Sequence, residues 1–190
     1  MKHVTDQRQP LLAYFPLAIK LLLICSFYSN TIEAQIYVTR HNSGHVTVID
    51  ETLDDTQYTI TGLTGCQTTG IAISPDGSKS YVTNYNCANI SIINNTTLST
   101  IGNVLVGLHP IDILTTKEGS IIYVANSGSN SVSVINVDTF TLLTTIPVGY
   151  KPAGITMAPD EKKLYVVNYN SHNISVIDTE THKVIDTIWT

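Results

Sequence analysis

Short apolar segments separated by polar turns fill most of this chain, and they recur in the same order. In the clearest unit the apolar segments lie at residues 70–74, 79–83, 89–93 and 101–106. Each segment is too short for a helix and rich in Ile and Val, which favours β-strands. The first two are separated by Pro75, Asp76 and Gly77, a combination typical of a tight turn with glycine in the left-handed position.

The tyrosines of the second segment give the period of the repeat. Tyr81, Tyr123 and Tyr165 are 42 residues apart, and a looser copy places Tyr37 another 44 residues earlier. Four short strands in a period of this length are typical of one blade of a β-propeller. The predicted fold class is therefore all-β, a propeller of four-stranded antiparallel blades with about 3.7 repeats. Two alternatives stay open, a small closed ring and an incomplete propeller.

Two details of the strands agree with blades that are covered on both faces. In the third strands apolar residues are adjacent, as in Val134 with Ile135 and Val176 with Ile177, where a strand with one wet face would alternate. Pro147 falls inside the fourth strand, and proline is confined to sheet edges because it donates no backbone hydrogen bond. We therefore expect the fourth strand to be the outermost strand of each blade.

The N-terminal segment divides the chain into two predicted regions. Residues 1–34 contain Lys20, an apolar run after it and the small residue Ala34, which together predict a signal peptide cleaved after Ala34 or, failing cleavage, a membrane anchor. Residues 35–190 form the propeller domain. An alternative interpretation makes the segment around Phe27 and Tyr28 the innermost strand of the first blade. Export implies a location at the cell surface, in the periplasm or in the medium.

The repeat motifs resemble a known family. They are Ser74-Pro75-Asp76-Gly77, Tyr81-Val82-Thr83-Asn84, Thr145-Ile146-Pro147-Val148-Gly149 and Ile174-Ser175-Val176-Ile177-Asp178-Thr179. Over residues 36–190 the chain resembles the YVTN-type β-propeller repeats of surface-layer and other exported proteins of archaea and bacteria. The resemblance implies an exported propeller, often of seven blades, used for surface structure or binding, and it implies no catalytic motif.

Charge and composition limit the classes of partner. The formal net charge is −5 and no cluster of Lys or Arg occurs, so the basic surface that nucleic acids require is missing. The predicted partners are a protein or glycan at the cell surface and a second copy of this chain, with a membrane only if the N-terminal segment is uncleaved. No cofactor or metal is predicted, because His41 and His45 lie in a loop and no zinc-binding motif is present.

Cys66 and Cys87 are a candidate disulfide. Cys66 lies in the crossing that follows a fourth strand, and Cys87 lies in the loop between a second and a third strand. These two kinds of loop emerge on the same face of a propeller blade, and export favours oxidation of the pair. The alternative is two free thiols.

The same face carries the residues predicted to contact a ligand, because loops at one end of a rigid scaffold commonly carry recognition. They are Tyr85, His109, Tyr150 and His172. By contrast, we interpret the recurring Asn84, Asn126 and Asn168 as structural residues that bond local backbone, and the repeat tyrosines as packing residues whose hydroxyls find partners nearby.

Two asparagines in a predicted turn are candidates for glycosylation. Asn94 and Asn95 each begin an Asn-x-Thr sequence, which an exported chain would present to the modifying enzyme.

The functional hypothesis from the sequence is an exported, non-enzymatic propeller that serves as a binding or scaffold module. The alternatives are a propeller enzyme or redox accessory, similar to lactonases or periplasmic redox subunits, and a piece of a larger propeller. The enzyme alternative depends on fold analogy, since no nucleophile elbow or phosphate-binding loop occurs in the sequence.

Overall fold

The computed structural model describes residues 21–28, 31–40, 44–50, 56–60, 63 and 66–190. These residues form sixteen strands and two short 3₁₀ turns, Tyr85–Cys87 and Tyr169–Ser171. In chain order the strands are β1 Leu21–Tyr28, β2 Thr31–Arg40, β3 His45–Asp50, β4 Thr56–Ile60, β5 Thr68–Ile73, β6 Lys79–Asn84, β7 Asn89–Asn94, β8 Ser99–Leu105, β9 Pro110–Thr115, β10 Ile121–Asn126, β11 Ser131–Asn136, β12 Thr141–Pro147, β13 Pro152–Met157, β14 Lys163–Asn168, β15 Asn173–Asp178 and β16 Lys183–Trp189.

The strands form four separate antiparallel sheets, each made of four consecutive strands paired in chain order. We call them blades 1 to 4. The register between the second and third strands is the same in every blade, because the repeat tyrosine of the second strand always pairs with an apolar residue of the third, as Tyr81 does with Ile92 and Tyr123 with Val134. The predicted all-β propeller architecture with four-stranded blades is confirmed.

The cores lie between blades rather than inside one sheet. Tyr81 and Ile92 of blade 2 pack with Ile122 and Ile135 of blade 3 in one apolar cluster, and a second cluster joins blades 3 and 4 in the same way. Val134 and Ile135 are both fully buried although they are adjacent on one strand. Adjacent apolar residues are thus buried on opposite faces of the blade, as their pattern predicted.

The turns and edges follow the residue types in the sequence. Gly77 has φ +71° and Gly119 φ +73°, so the first turns of blades 2 and 3 place glycine in the left-handed region. Glu161 holds the same place in blade 4 with φ +57°. Pro147 ends β12, the outermost strand of blade 3, where its missing N–H costs no ladder bond.

The four described blades form an incomplete propeller. Extensive contacts among the described strands join consecutive blades only. The outer face of blade 4 is open: Val167 is 48% exposed and Trp189 74% exposed. Tyr165 is likewise only half-buried, whereas the equivalent Tyr81 and Tyr123 are buried.

The N-terminal part of the described chain adds a strand to blade 1. Residues 21–28 form β1, which pairs with β2 along its whole length, so the alternative strand predicted around Phe27 corresponds to this element. Cleavage after Ala34 would remove β1, and the division of the chain at residue 34 stays a prediction. Residues 1–20 lie outside the described part. Among the described residues no helix has the length and apolar character needed to cross a membrane.

Candidate functional site: the loop face

Two kinds of loop meet at one end of every complete described blade. The loop between the second and third strands donates a backbone N–H to the crossing that enters the blade: Tyr85 N to Gln67 O at 2.7 Å, Ser127 N to His109 O at 2.9 Å, and Tyr169 N to Lys151 O at 2.9 Å. These loops therefore share one face, which we call the loop face. The opposite end of the blades carries the tight turns, and we call it the turn face.

A second contact fixes the same two loops, and its chemistry differs between blades. In blade 2 Cys66 and Cys87 form a disulfide, with their Cα atoms 5.7 Å apart. At the positions 42 residues later Leu108 N donates to Ser129 Oγ at 2.5 Å. Another 42 residues on, Tyr150 N donates to Ser171 Oγ at 2.6 Å. The crossing is therefore tied to the loop at the same point in three successive blades.

Tyr85 and His109 form an aromatic pair beside the disulfide. Their rings are stacked with centroids 4.5 Å apart and an interplanar angle of 8°. Tyr85 lies two residues before Cys87, so the disulfide restrains the loop that carries the ring. His109 adopts φ +52° in the crossing to blade 3, and its ring contacts the loop of blade 2 through this stack.

Of the other two predicted contact residues, Tyr150 lies in the next crossing, between blades 3 and 4, and His172 lies in the loop between the second and third strands of blade 4. Tyr150 is 68% exposed, and its carbonyl oxygen accepts a hydrogen bond from Asn170 N at 3.1 Å. His172 is exposed and ends a 3₁₀ turn with φ +50°. Tyr169, 70% exposed in the same turn, was missed by the sequence analysis. The repeat spacing could have identified it, because it occupies the position of Tyr85.

A buried polar network lies under the loops, and it corrects one prediction. Asn126 Nδ2 donates to Ser131 Oγ at 3.2 Å and to Ser133 Oγ at 2.9 Å. Asn84 and Asn168 bond at the same two positions of their blades, where the first acceptor is an asparagine Oδ1 instead of a serine hydroxyl and the second is again a serine. These side chains thus bond side chains of the third strand and not the local backbone, because the second and third strands pair directly and bring the amide above the facing polar side chains.

The glycines of the crossings are explained by these asparagines. A Cβ added to Gly107 would lie 2.8 Å from the Asn126 side chain, and one added to Gly149 would lie 2.7 Å from the Asn168 side chain. The crossing can approach the blade only where no side chain intervenes. The asparagines are buried beneath it and support the loop face from below.

Asp112 is a further polar residue that the sequence analysis missed. It lies on β9, the innermost strand of blade 3, and its Oδ2 accepts a hydrogen bond from Ile155 N of blade 4 at 3.0 Å. The equivalent positions in blades 2 and 4 are Gly70 and Gly154. The repeat spacing could have identified Asp112, because it is an aspartate at a position that is glycine in both neighbouring blades. Its geometry links neighbouring blades along the inner edge.

The two candidate glycosylation residues differ in their surroundings. Asn95 Nδ2, the atom that would carry a glycan, donates to Gly77 O at 2.8 Å, and Asn95 Oδ1 accepts from Ser80 Oγ at 2.7 Å. Asn94 uses only Oδ1, which accepts from the backbone of Thr96 and Thr97. The turn is therefore more open to modification at Asn94. Glycosylation at either residue stays a prediction.

The described residues contain no group of three or more His, Cys, Asp or Glu side chains arranged to hold a metal ion. His41 lies outside the described residues, so the pair it forms with His45 in the sequence has no structural description. The disulfide, the stacked pair and the exposed tyrosines are therefore the chemical features that the described loop face offers.

The architecture defines a β-propeller, and the comparison with known proteins gives its family. The profile of the family described as "Lactonase, 7-bladed beta-propeller" matches residues 27–143 and, in an overlapping register, residues 82–187. The chain belongs to this family.

Among solved structures, the chain is similar to one titled Kuenenia stuttgartiensis hydrazine synthase, with 23% sequence identity and a TM-score of 0.75. The match covers 81% of this chain and 45% of that chain, so this chain spans less than half of its length. At this identity the similarity concerns the fold alone. No curated protein sequence matches the chain significantly.

Proposed function

We propose that this chain is a non-enzymatic binding module whose ligand contacts the loop face. The observation that carries the proposal is the set of aromatic rings held there on a restrained backbone: the Tyr85–His109 stack beside a disulfide, and the exposed Tyr150 and Tyr169 at the next crossing. Exposed aromatic residues in fixed positions are typical of recognition surfaces, since they offer apolar area with little conformational freedom to lose.

The ligand class that fits this surface is a glycan or a protein segment. Tyrosine and histidine combine a flat apolar ring with a polar atom, which suits sugar rings and peptide side chains. The mild negative charge of the chain does not favour polyanions. Export to the cell surface, the periplasm or the medium, a relation to surface-layer proteins of the YVTN type and self-association all belong to this proposal.

Binding to immobilised glycans tests recognition by the loop face, and sedimentation of the purified chain tests self-association. Replacing both Tyr85 and Tyr150 by alanine should weaken binding to any glycan that the wild type retains by about tenfold or more, since each buried aromatic contact contributes about 1 kcal/mol or more. Leu143→Ala, at an exposed position of the outermost strand β12, is the matched control. If the double variant bound as well as this control, the loop face would not be the recognition surface.

The family description supports a second candidate, a lactonase-like hydrolase. In that case an exposed histidine of the loop face, His109 or His172, would be the first candidate for a general base. Hydrolysis of a panel of lactones, followed by acid release, separates the two candidates. A rate that scales with protein concentration and is lost in His109→Gln or His172→Gln would favour the enzyme. A rate no greater than that of buffer alone would favour the binding module.

A further inference from the structure

A cavity of about 250 Å³ lies on the turn face between blades 2 and 3, away from the loop face. Blade 2 contributes Asp76, Lys79 and Tyr81 to its wall, and blade 3 contributes Glu118, Gly119 and Asp138. Three carboxylates therefore surround the cavity against one ammonium group. The side chains of Glu118 and Asp138 accept no hydrogen bond from the described residues, so both keep their full capacity as acceptors.

The hydroxyl of Tyr81 is the second feature of this cavity. Tyr81 is fully buried, and among the described residues its Oη has no hydrogen-bond partner, contrary to the expectation that the repeat tyrosines find partners nearby. Burial, and then the charges of Asp76 and Asp138, raise the pKa of Tyr81 to about 12. Tyr81, Asp76 and Asp138 all line the same cavity. A buried hydroxyl without a partner is costly, and a ligand donor that reached it from the cavity would relieve that cost.

At the equivalent place between blades 3 and 4, side chains of the protein itself bridge the two turns. There Lys117 N donates to Glu161 Oε1 at 2.8 Å, and Lys117 Nζ donates to the carbonyl oxygen of Pro159. The residues that hold these places between blades 2 and 3 are Pro75 and Gly119. The Pro75 ring packs against Gly119, since a Cβ added to Gly119 would lie 2.7 Å from Pro75 Cδ, and both residues line the cavity. Neither residue carries a charged or hydrogen-bonding side chain that could cross between the blades as those of Lys117 and Glu161 do.

We propose that the cavity between blades 2 and 3 binds an aliphatic primary ammonium group. An ammonium has three N–H donors and no acceptor, which matches a wall of carboxylates and a hydroxyl that can accept. The excess negative charge of the wall rejects anions. At the neighbouring interface the group that crosses between the turns is itself the ammonium of a lysine. A free alkylamine and a lysine side chain of another protein offer the same chemistry.

Calorimetric and NMR titrations of the full chain test this proposal, with n-butylammonium as the free amine, an acetylated Gly-Lys-Gly amide as the lysine source and 1-butanol as the neutral control. Saturable binding of either cation, with none of butanol, is the expected result. The tighter of the two cations identifies the source. Occupation of the cavity by water alone, with neither cation binding more than butanol does, would overturn the proposal.

Matched variants locate the binding. Glu118→Gln changes an exposed carboxylate of the cavity, and Asp160→Asn changes the equivalent residue of blade 4, which does not line this cavity. We expect affinity to fall about tenfold in the first, since a charge-assisted hydrogen bond contributes about 1.5 kcal/mol or more, and to be unchanged in the second. Tyr81→Phe removes an unpartnered hydroxyl, so the fold should tolerate it, and affinity should fall severalfold. Equal affinities in all three variants would overturn the assignment.

Discussion

Blade 2 differs from blades 3 and 4 in the bond that holds its crossing to its loop, although the three contacts occupy the same place. The disulfide of blade 2 joins Cys66 to Cys87, whereas Ser129 and Ser171 accept backbone hydrogen bonds at the positions one and two repeats later. The propeller fold thus brings the two positions together in every blade, and the residue type decides only which bond forms. In blade 2 that bond depends on the redox environment, and in the other blades it competes with water.

The same contrast occurs at the turn face. Lys117 and Glu161 bridge the turns of blades 3 and 4 through polar contacts, whereas Pro75 and Gly119 at the same positions in blades 2 and 3 pack together without such a bridge and line a cavity. The strands between the two faces keep one register throughout. These two differences between blades therefore lie at the loop and turn ends, where ligands can reach them.

The largest effect is expected from replacing the disulfide of blade 2 by the hydrogen bond that blade 3 has at the same place. Cys66→Leu with Cys87→Ala removes the disulfide and should lower the free energy of unfolding by about 3 kcal/mol, because a closed loop of about 20 residues no longer restrains the unfolded chain. Cys66→Leu with Cys87→Ser reproduces the residues of blade 3 and should recover about 1 kcal/mol through the serine hydrogen bond. Urea denaturation measures both.

Two controls accompany this pair. Cys25→Ser in every variant removes the third cysteine of the chain and prevents exchange of thiols. Adding a reductant to the protein that carries only Cys66 and Cys87 should cause the same loss as the substitutions. Equal stability of the alanine and serine variants would show that the backbone geometry of blade 3 does not carry over to blade 2.

Blades 3 and 4 should lose similar stability when the asparagine beneath their crossing is replaced. Asn126→Ala removes two buried hydrogen bonds and should destabilise the protein by about 2 kcal/mol, since Ser131 and Ser133 lose their donor. Asn168→Ala should cost a similar amount in blade 4. Thermal and urea unfolding measure both changes. A loss in one blade without a comparable loss in the other would contradict the structural equivalence of the blades.

A smaller effect is expected from transferring the disulfide to blade 3. Leu108→Cys with Ser129→Cys should form a bridge under oxidising conditions, because the two positions already lie within hydrogen-bond contact. The gain should be about 1 to 2 kcal/mol, less than the entropic limit, since engineered bridges usually introduce some strain. Leu108→Cys with Ser129→Ala is the unbridged control. Thiols that stay free while Cys66 and Cys87 oxidise would show that the backbone geometries differ.

The propeller could be predicted because its signals repeat. The spacing of Tyr81, Tyr123 and Tyr165 defined the period. Adjacent apolar residues such as Val134 and Ile135 predicted that both faces of each blade are covered. These features depend on local residue type and periodicity, which a single sequence displays directly. The family match and the four sheets confirm this part.

The details of the loops could not be predicted because they depend on contacts between distant residues. His109 and Lys151 adopt a left-handed conformation without being glycine or asparagine, since the crossing is fixed by bonds to a loop about 20 residues later. The partners of Asn126 depend on strand register, and the unpartnered hydroxyl of Tyr81 depends on which side chains the next blade places opposite. None of these has a local signal.

The smallest expected effect on stability concerns the aspartates in the first turns of blades 2 and 4. Asp76 accepts hydrogen bonds from Ser74 Oγ at 2.5 Å and from Ser78 N at 3.0 Å, whereas Asp160 accepts one from Lys162 N at 3.1 Å. The bond from the Ser74 side chain, followed by that from the Ser78 backbone, lowers the pKa of Asp76 from 3.8 to about 2. Ionised Asp76 therefore stabilises the folded chain fully above about pH 4, and this contribution is lost as the pH falls through about 2.

Asp76→Asn should consequently lower the free energy of unfolding at pH 6 by less than about 1 kcal/mol, because the carboxylate is exposed and solvent screens it. The difference from wild type should shrink as the pH approaches 2, where the wild-type carboxyl becomes protonated. Asp160→Asn should show a smaller difference at pH 6, since the loss of charge weakens one accepted hydrogen bond instead of several. Urea unfolding midpoints at pH 6 and pH 2 measure these changes. A wild-type advantage over Asp76→Asn that persisted undiminished at pH 2 would show that charge does not hold the blade 2 turn.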